Sequence, residues 1–312
     1  MTSPDLPPVL RYTAFSADPR GGNPAGVVLD ATRLDDREML AIAAEVGYSE
    51  TAFLTRLPEA GDEAGNGDGA AHGDGGRVFG VRYFSPVAEV PFCGHATVAT
   101  AIALAERSGP GELVFETPAG AVPVSVTRDG GTPGGTPGGA LRATLTGVEP
   151  YVTGVAEDDV REALAALGWP AGDLDPALPP RIAYAGARHL VLAAASRARL
   201  ADLAYDFDRL AALMRRLDLT TVQLAWRESA EVFHVRDPFP VGGVVEDPAT
   251  GAAALAFGAY VREVGAVDGS AVLTLHQGED MGRPGVLTVE LRAGDPRVRV
   301  SGTGARIPDD AV

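Results

Sequence analysis

The sequence predicts an α+β chain built from two related halves. Three observations carry that expectation. Short segments with alternating apolar residues, bounded by Gly, Pro, Asn and Asp, recur along the chain, while few stretches show helical spacing. Two helices, at about 95–107 and 250–263, are apolar or small on every side, which marks a helix buried all round. Each follows a polar elbow, and Thr250 falls about half a chain length after His95, a weak internal repeat. The length of 312 residues favours two domains.

In chain order, Val9–Phe15 alternates as a first strand, and a turn at Gly21–Gly22 leads to a second over Gly26–Leu29. Asp35 caps a helix over Asp36–Val46, which Gly47 ends. Strands follow at 49–54 and, after the Gly- and acid-rich stretch 59–76, at Val78–Phe84. That stretch, which contains His72, has too little apolar surface to offset its ordering entropy and reads as a loop. Glu112–Glu116, Val122–Thr127 and Ala140–Leu145 read as strands. The Gly/Pro-rich segment 129–139 reads as flexible. Further on, Asp158–Leu167 and Phe207–Leu217 have helical periodicity. Arg181–Tyr184, His189–Ala193, Thr221–Ala225, Glu231–Val235, Ala271–Gln277, Gly285–Arg292 and Val298–Ser301 read as strands. The expected division is one lobe over 1–128, completed by strands in 287–312, and a second over 140–286. The pattern predicts α+β rather than a βαβ repeat.

Composition narrows the function. With 46% hydrophobic and 22% charged residues, the chain reads as an ordinary globular protein. A formal charge of −16 argues against nucleic acid and anionic membranes as partners. All 26 basic residues are Arg, which excludes a lysine Schiff base and a P-loop. Cys93 is the single cysteine, so no intrachain disulfide forms. No His pairs with another His or Cys at metal-ligand spacing, and no Gly-x-Gly-x-x-Gly opens a helix after a strand. Neither a metal nor another cofactor is therefore expected. The N-terminus shows no signal-peptide pattern, so the expected location is the cytoplasm.

The groups able to carry chemistry gather at the helix starts. The first start carries Cys93, Gly94, His95 and Ala96; the second carries Asp247, Thr250, Gly251 and Ala252. A helix N-terminus offers unpaired N–H groups and partial positive charge, suited to a carboxylate. Glu50 stands at a strand start, and Asp247 before Pro248 has the form of a helix cap. An enclosed carboxylate has a raised pKa and can move a proton near neutral pH, while N–H donors meet the charge of an enolate-like intermediate. Cys93 is a minor candidate, its thiolate favoured by the helix terminus. Arg236 and Arg283 read either as substrate-carboxylate clamps or as surface ion pairs. Asn23 reads as a turn residue before Pro24.

Five motifs occur in order: Gly22-Asn-Pro-Ala-Gly-Val-Val28, Ser49-Glu-Thr-Ala-Phe53, Phe92-Cys-Gly-His-Ala-Thr97, Glu246-Asp-Pro-Ala-Thr-Gly251 and Gln277-Gly-Glu-Asp-Met-Gly-Arg283. Together they resemble the PhzF-like family over about residues 9–302. The resemblance implies the diaminopimelate-epimerase fold, in which two pseudo-symmetric lobes each wrap mainly antiparallel strands around a central helix. It also implies a cofactor-independent isomerase acting on a small carboxylate between the lobes. Glu50 would move the proton, with His95 and Asp247 assisting. Asn23, Cys93, Gly94, Ala96, Thr250, Gly251, Ala252 and Gln277 would line the substrate site. A homodimer is implied as well. Ala252 departs from the Ser often found there in the family, and Pro248 stands where related racemases carry a second cysteine. The alternatives are a non-catalytic two-lobed binding protein and an epimerase using Cys93.

Overall fold

The computed structural model describes residues 6–56, 77–129 and 139–309. The loop expected over 59–76, with His72, lies outside them, as does nearly all of the segment 129–139. The described chain forms two units. One comprises 1–20, 24–145 and 302–312, and the other 21–23 and 146–301.

In the first unit, β1 (Leu10–Ala14), β2 (Asn23–Val28), β3 (Thr51–Arg56), β4 (Arg77–Phe84), the two-residue β5 (Glu89–Val90), β6 (Gly111–Thr117), β7 (Gly120–Arg128) and β8 (Leu141–Thr146) surround one helix. The pairing runs β1–β2–β3–β4–β6–β7–β8. The chain's final strand, Asp295–Arg306, joins β8 back to β1 and closes a barrel. Helix α1 (Asp36–Val46) lies against the outside of β2–β4. Its capping box is complete, with Asp35 accepting from the Glu38 N–H and the Glu38 side chain accepting in return, and Gly47 ends it in the left-handed conformation. Met39, Ile42, Ala43 and Val46 pack on Val28, Phe53 and Phe84. Each large side chain buried there stabilises the fold by about 1.5–3 kcal/mol. Helix α2 (Gly94–Ser108) has no exposed face from His95 to Ala105, which accounts for its lack of a polar stripe.

In the second unit, β9 (Tyr151–Thr153), β10 (Arg181–Tyr184), β11 (Arg188–Ala193), β12 (Thr221–Arg227), β13 (Val232–Pro238), the two-residue β14 (Glu246–Asp247), β15 (Ala271–Gln277), β16 (Gly285–Arg292) and β17 (Asp295–Arg306) follow the same scheme. Helices α3 (Glu157–Leu167), α4 (Arg197–Ala201) and α5 (Phe207–Leu217) cover Leu190, Leu192, Val222 and Leu224 on the outer face. Helix α6 (Gly251–Glu263) is buried from Ala253 to Val261. It packs so closely that a Cβ on Gly258 would stand 2.7 Å from Val298 and 2.8 Å from Val289.

The pairing sequence is identical in the two units. β2–β3 and β11–β12 are parallel, β3–β4 and β12–β13 antiparallel, and β4–β6 and β13–β15 parallel. Two antiparallel pairs follow in each. This corrects the expectation of a chain without β-helix-β crossovers. Among the described residues, each of these four parallel pairs is joined through helix: α1, α2, α4 with α5, and α6. Parallel neighbours need such a crossover, because a tight turn only reverses the chain. The architecture is thus mixed α/β with a closed barrel and few helices.

Candidate functional site

Two sets of polar side chains gather at the starts of α2 and α6. In the first unit, β2 and β3 run parallel, and the Gly26 N–H donates to the Glu50 carbonyl at 3.2 Å. That bond fixes the backbone just before β3 and sends the Glu50 side chain toward Cys93 and His95. Cys93 is the N-cap of α2 and makes no side-chain cap bond. Its Sγ lies 3.5 Å from Glu50 Oε2, 3.3 Å from His95 Nδ1 and 3.8 Å from His95 Nε2. His95 Nε2 is 3.4 Å from Glu50 Oε2 and 3.4 Å from Ser49 Oγ. The turn beneath is held by Thr97 Oγ1, which donates to the Cys93 carbonyl at 2.7 Å and lies 2.7 Å from the Tyr83 hydroxyl. Burial at position 83 raises the phenol above its ordinary pKa, so it stays neutral.

Electrostatics set Glu50 apart. Its side chain is 16% exposed, and burial raises its carboxyl above the ordinary value against hydrogen bonds from Ser49 and Cys93. A carboxyl held in that way exchanges a proton more readily near neutral pH than a solvated glutamate does. Gly94 opens α2, and the N–H groups of its first turn have no carbonyl one turn earlier within the helix.

In the second unit, Asn23 and Asp247 meet. Asn23 is 1% exposed, and its Nδ2 donates to Asp247 Oδ1 at 2.8 Å and to the Ala249 carbonyl at 3.1 Å. Asp247 Oδ2 accepts from Thr250 Oγ1 at 2.6 Å. Gln277 Nε2 donates to the Asp247 carbonyl at 2.8 Å, and its Oε1 accepts from the Thr250 N–H at 2.9 Å. Gly278 follows at φ 79°, beside the carbonyls of Arg283 and Pro248, where a side chain would collide with backbone. Arg283 donates to the carbonyls of Gly21 and Gly22 at 2.9 Å each, anchoring the segment that carries Asn23.

These contacts correct several expectations. Asp247 is not the cap of α6. It lies in β14, and Thr250 occupies the N-cap position. Asn23 is a buried amide on Asp247 rather than a simple turn former, because Pro24 already lies within β2. Arg236 is neither a clamp nor a surface pair. It is buried and bonded through Nε and Nη2 to Glu246, at 2.9 and 2.5 Å. Of the other expected lining residues, Ala96 is fully buried at the base of α2, Gly251 is buried and Ala252 half-buried at the start of α6.

Sequence reasoning missed a buried polar row beside Asp247. Asp237 pairs with Asp247 across β13–β14 and accepts from Thr221 Oγ1 at 2.7 Å, and His189 Nδ1 lies 2.8 Å from the same hydroxyl. Burial raises the Asp237 carboxyl well above its ordinary value, with Asp247 and Glu246 adding to the effect. Burial also pulls the His189 imidazole down to about 3. In both cases burial favours the uncharged form. The signal was faint: polar residues at alternate positions of strands whose other faces are apolar.

Comparison with known proteins places the chain in a family. The family model described as phenazine biosynthesis-like protein matches residues 12–309. An uncharacterized isomerase of Deinococcus radiodurans is 34% identical over 305 residues, 95% of this chain and 92% of that protein. The trans-2,3-dihydro-3-hydroxyanthranilate isomerase of Pseudomonas chlororaphis is 30% identical over 294 residues, 93% of this chain and 94% of that protein. The crystal structure of a Bacillus anthracis phenazine biosynthesis protein of the PhzF family superposes with a TM-score of 0.79 at 26% identity, covering 96% of each chain.

Proposed function

Because this chain belongs to the phenazine biosynthesis-like family and is an isomerase, we propose that it moves a proton between carbons of a small carboxylate without a cofactor, with Glu50 as the acid–base group. The observation that carries the proposal is the setting of Glu50. It is a largely buried carboxyl with a raised pKa, in reach of Cys93 and His95 at the first turn of α2. As base, Glu50 takes a proton from carbon next to the substrate carboxylate. The electrons move into an enolate-like system, and the protonated Glu50 returns a proton at another carbon. His95 supplies a hydrogen-bonding ring beside the transferring oxygen. The first-turn N–H groups of α2 offer donors to negative charge as it develops. Asn23, Thr250 and Gln277 fix the two oxygens and the backbone of Asp247. In this proposal the enzyme works as a cytoplasmic homodimer.

The name of the Pseudomonas chlororaphis relative makes trans-2,3-dihydro-3-hydroxyanthranilate the first compound to try. Ala252 lacks the hydroxyl often found in the family at that position, so other small unsaturated or hydroxylated carboxylates belong in the same panel. The test is incubation in D₂O. An isomerase washes deuterium into a substrate carbon, and Glu50→Gln stops it. A binding protein that has lost catalysis would retain the ligand without exchange. Epimerisation through Cys93 would instead be halted by thiol alkylation while Glu50→Gln kept turning over.

A further inference from the structure

The side chains of Glu50, Cys93 and His95 have a second property, independent of proton transfer. One carboxylate oxygen, one sulfur and one imidazole nitrogen all lie within 4.8 Å of one another. The edges of the triangle are 3.5 Å from Cys93 Sγ to Glu50 Oε2, 3.4 Å from Glu50 Oε2 to His95 Nε2, and 3.8 Å from His95 Nε2 to Cys93 Sγ. A tetrahedral zinc ion with ordinary bond lengths to S, N and O would set these edges at about 3.5, 3.3 and 3.5 Å. The observed triangle is within a few tenths of an ångström of that on every side. Sequence spacing gave no hint of it, because Glu50 comes from the residue before β3, far from Cys93 and His95 at the start of α2.

The chemistry of the donors fits as well. Sulfur, imidazole and carboxylate are the ligand types zinc takes, and three protein ligands leave a fourth position open. A bound cation would take Cys93 as the thiolate, displacing the thiol proton that now faces Glu50. A thiolate and a carboxylate around a divalent cation sum to no net charge, which reduces the cost of burying the ion. Cys93 and His95 are 8% and 6% exposed, while Glu50 keeps a more open edge through which an ion can enter.

We propose that Glu50, Cys93 and His95 form a site for a zinc-class divalent cation, and that its occupancy arrests the enzyme. The arrest rests on the role given to Glu50 above. Coordination takes the oxygen that would accept the proton, so the metal and the proton compete for one lone pair. The metal-binding half does not depend on that role.

The test uses the full-length chain stripped of metal by chelator dialysis. Zn²⁺ is titrated in competition with a chromophoric chelator, and Co²⁺ is added separately to look for a thiolate-to-metal charge-transfer band. The expected result is one ion per chain with a thiolate band in the parent. Cys93→Ser and Cys93→Ala should lose the band and weaken Zn²⁺ binding on the order of 100-fold or more. Circular dichroism confirms that each variant is folded. Unchanged Zn²⁺ affinity in a folded Cys93→Ser, or no thiolate band in the parent, overturns the site. Binding through His234, which sits between Glu228 and Glu279 at 2.7 and 2.6 Å, would give that first outcome. Substrate exchange is then measured with and without Zn²⁺. Full activity at saturating metal overturns the arrest alone. A metal-free chain that binds Zn²⁺ as expected but exchanges no substrate proton overturns the isomerase mechanism and leaves the site standing.

Discussion

Replacing Asn23 by Ala tests whether the buried amide holds Asp247. Asn23 makes two hydrogen bonds at 1% exposure, to Asp247 Oδ1 at 2.8 Å and to the Ala249 carbonyl at 3.1 Å. A bond to a carboxylate contributes about 1.5–3 kcal/mol, and an amide–carbonyl bond about 0.5–1.5 kcal/mol. The variant should therefore lose about 2–4 kcal/mol. For a unit of this size that is a fall in Tm on the order of 10 °C. Function should follow, because the Asp247 carboxylate would lose the bond from Asn23 that helps to orient it. The expected outcome is a raised KM at a temperature where the variant is still fully folded. Asn23→Asp should be worse than Asn23→Ala, since it sets a second carboxylate against Asp247 with no proton donor between them. Thermal melts followed by circular dichroism, with kinetics on the same samples, read both effects. If Asn23→Ala melts with the parent and keeps its KM, the amide is a bystander and the account of Asp247 is wrong.

Three further outcomes follow from the same contacts. The native state binds the Glu50 proton more tightly than the unfolded chain, because burial raises this carboxyl. Parent stability therefore falls as pH rises from the ordinary carboxylate range through the raised folded value. Glu50→Gln should accordingly melt above the parent in mildly alkaline buffer, with the gap closing toward acid; a variant that melts lower at both ends contradicts the electrostatic reading. Gly278→Ala places a Cβ against two carbonyls at φ 79° and should cost about 1–3 kcal/mol, lowering Tm and loosening Gln277. A melt matching the parent would show that the turn relaxes freely. Ala252→Ser restores a hydroxyl to the first turn of a helix on a half-buried position, so it should lower KM for a carboxylate substrate while moving stability by no more than about 0.5 kcal/mol.

The sequence carried local signals well and long-range ones poorly. The cap at Asp35, the stop at Gly47, and the helix Phe207–Leu217 were legible because their causes are adjacent residues, although the reciprocal bond from Glu38 was not read. The two buried helices announced themselves by having no polar face. Strand direction was not legible, since a run such as Thr221–Ala225 looks the same whether its neighbour is parallel or antiparallel. β5 and β14, two residues each, are too short to show a period. Asp247 before Pro248 has the local form of a cap, but its side chain is claimed by Asn23, far away in sequence. The buried pair Asp237 and His189 was hidden for a related reason: charge letters in a sequence do not show which groups burial will push toward the uncharged form.

Deuterium incorporation by Glu50→Gln reaches the centre of the account most directly. The parent in D₂O, given a carboxylate that it turns over, should place deuterium on carbon. The variant, folded and still binding that carboxylate, should lose this by at least about 100-fold, the lower end of what a positioned acid–base group contributes. Exchange at the parental rate in the folded variant would mean that another group carries the proton.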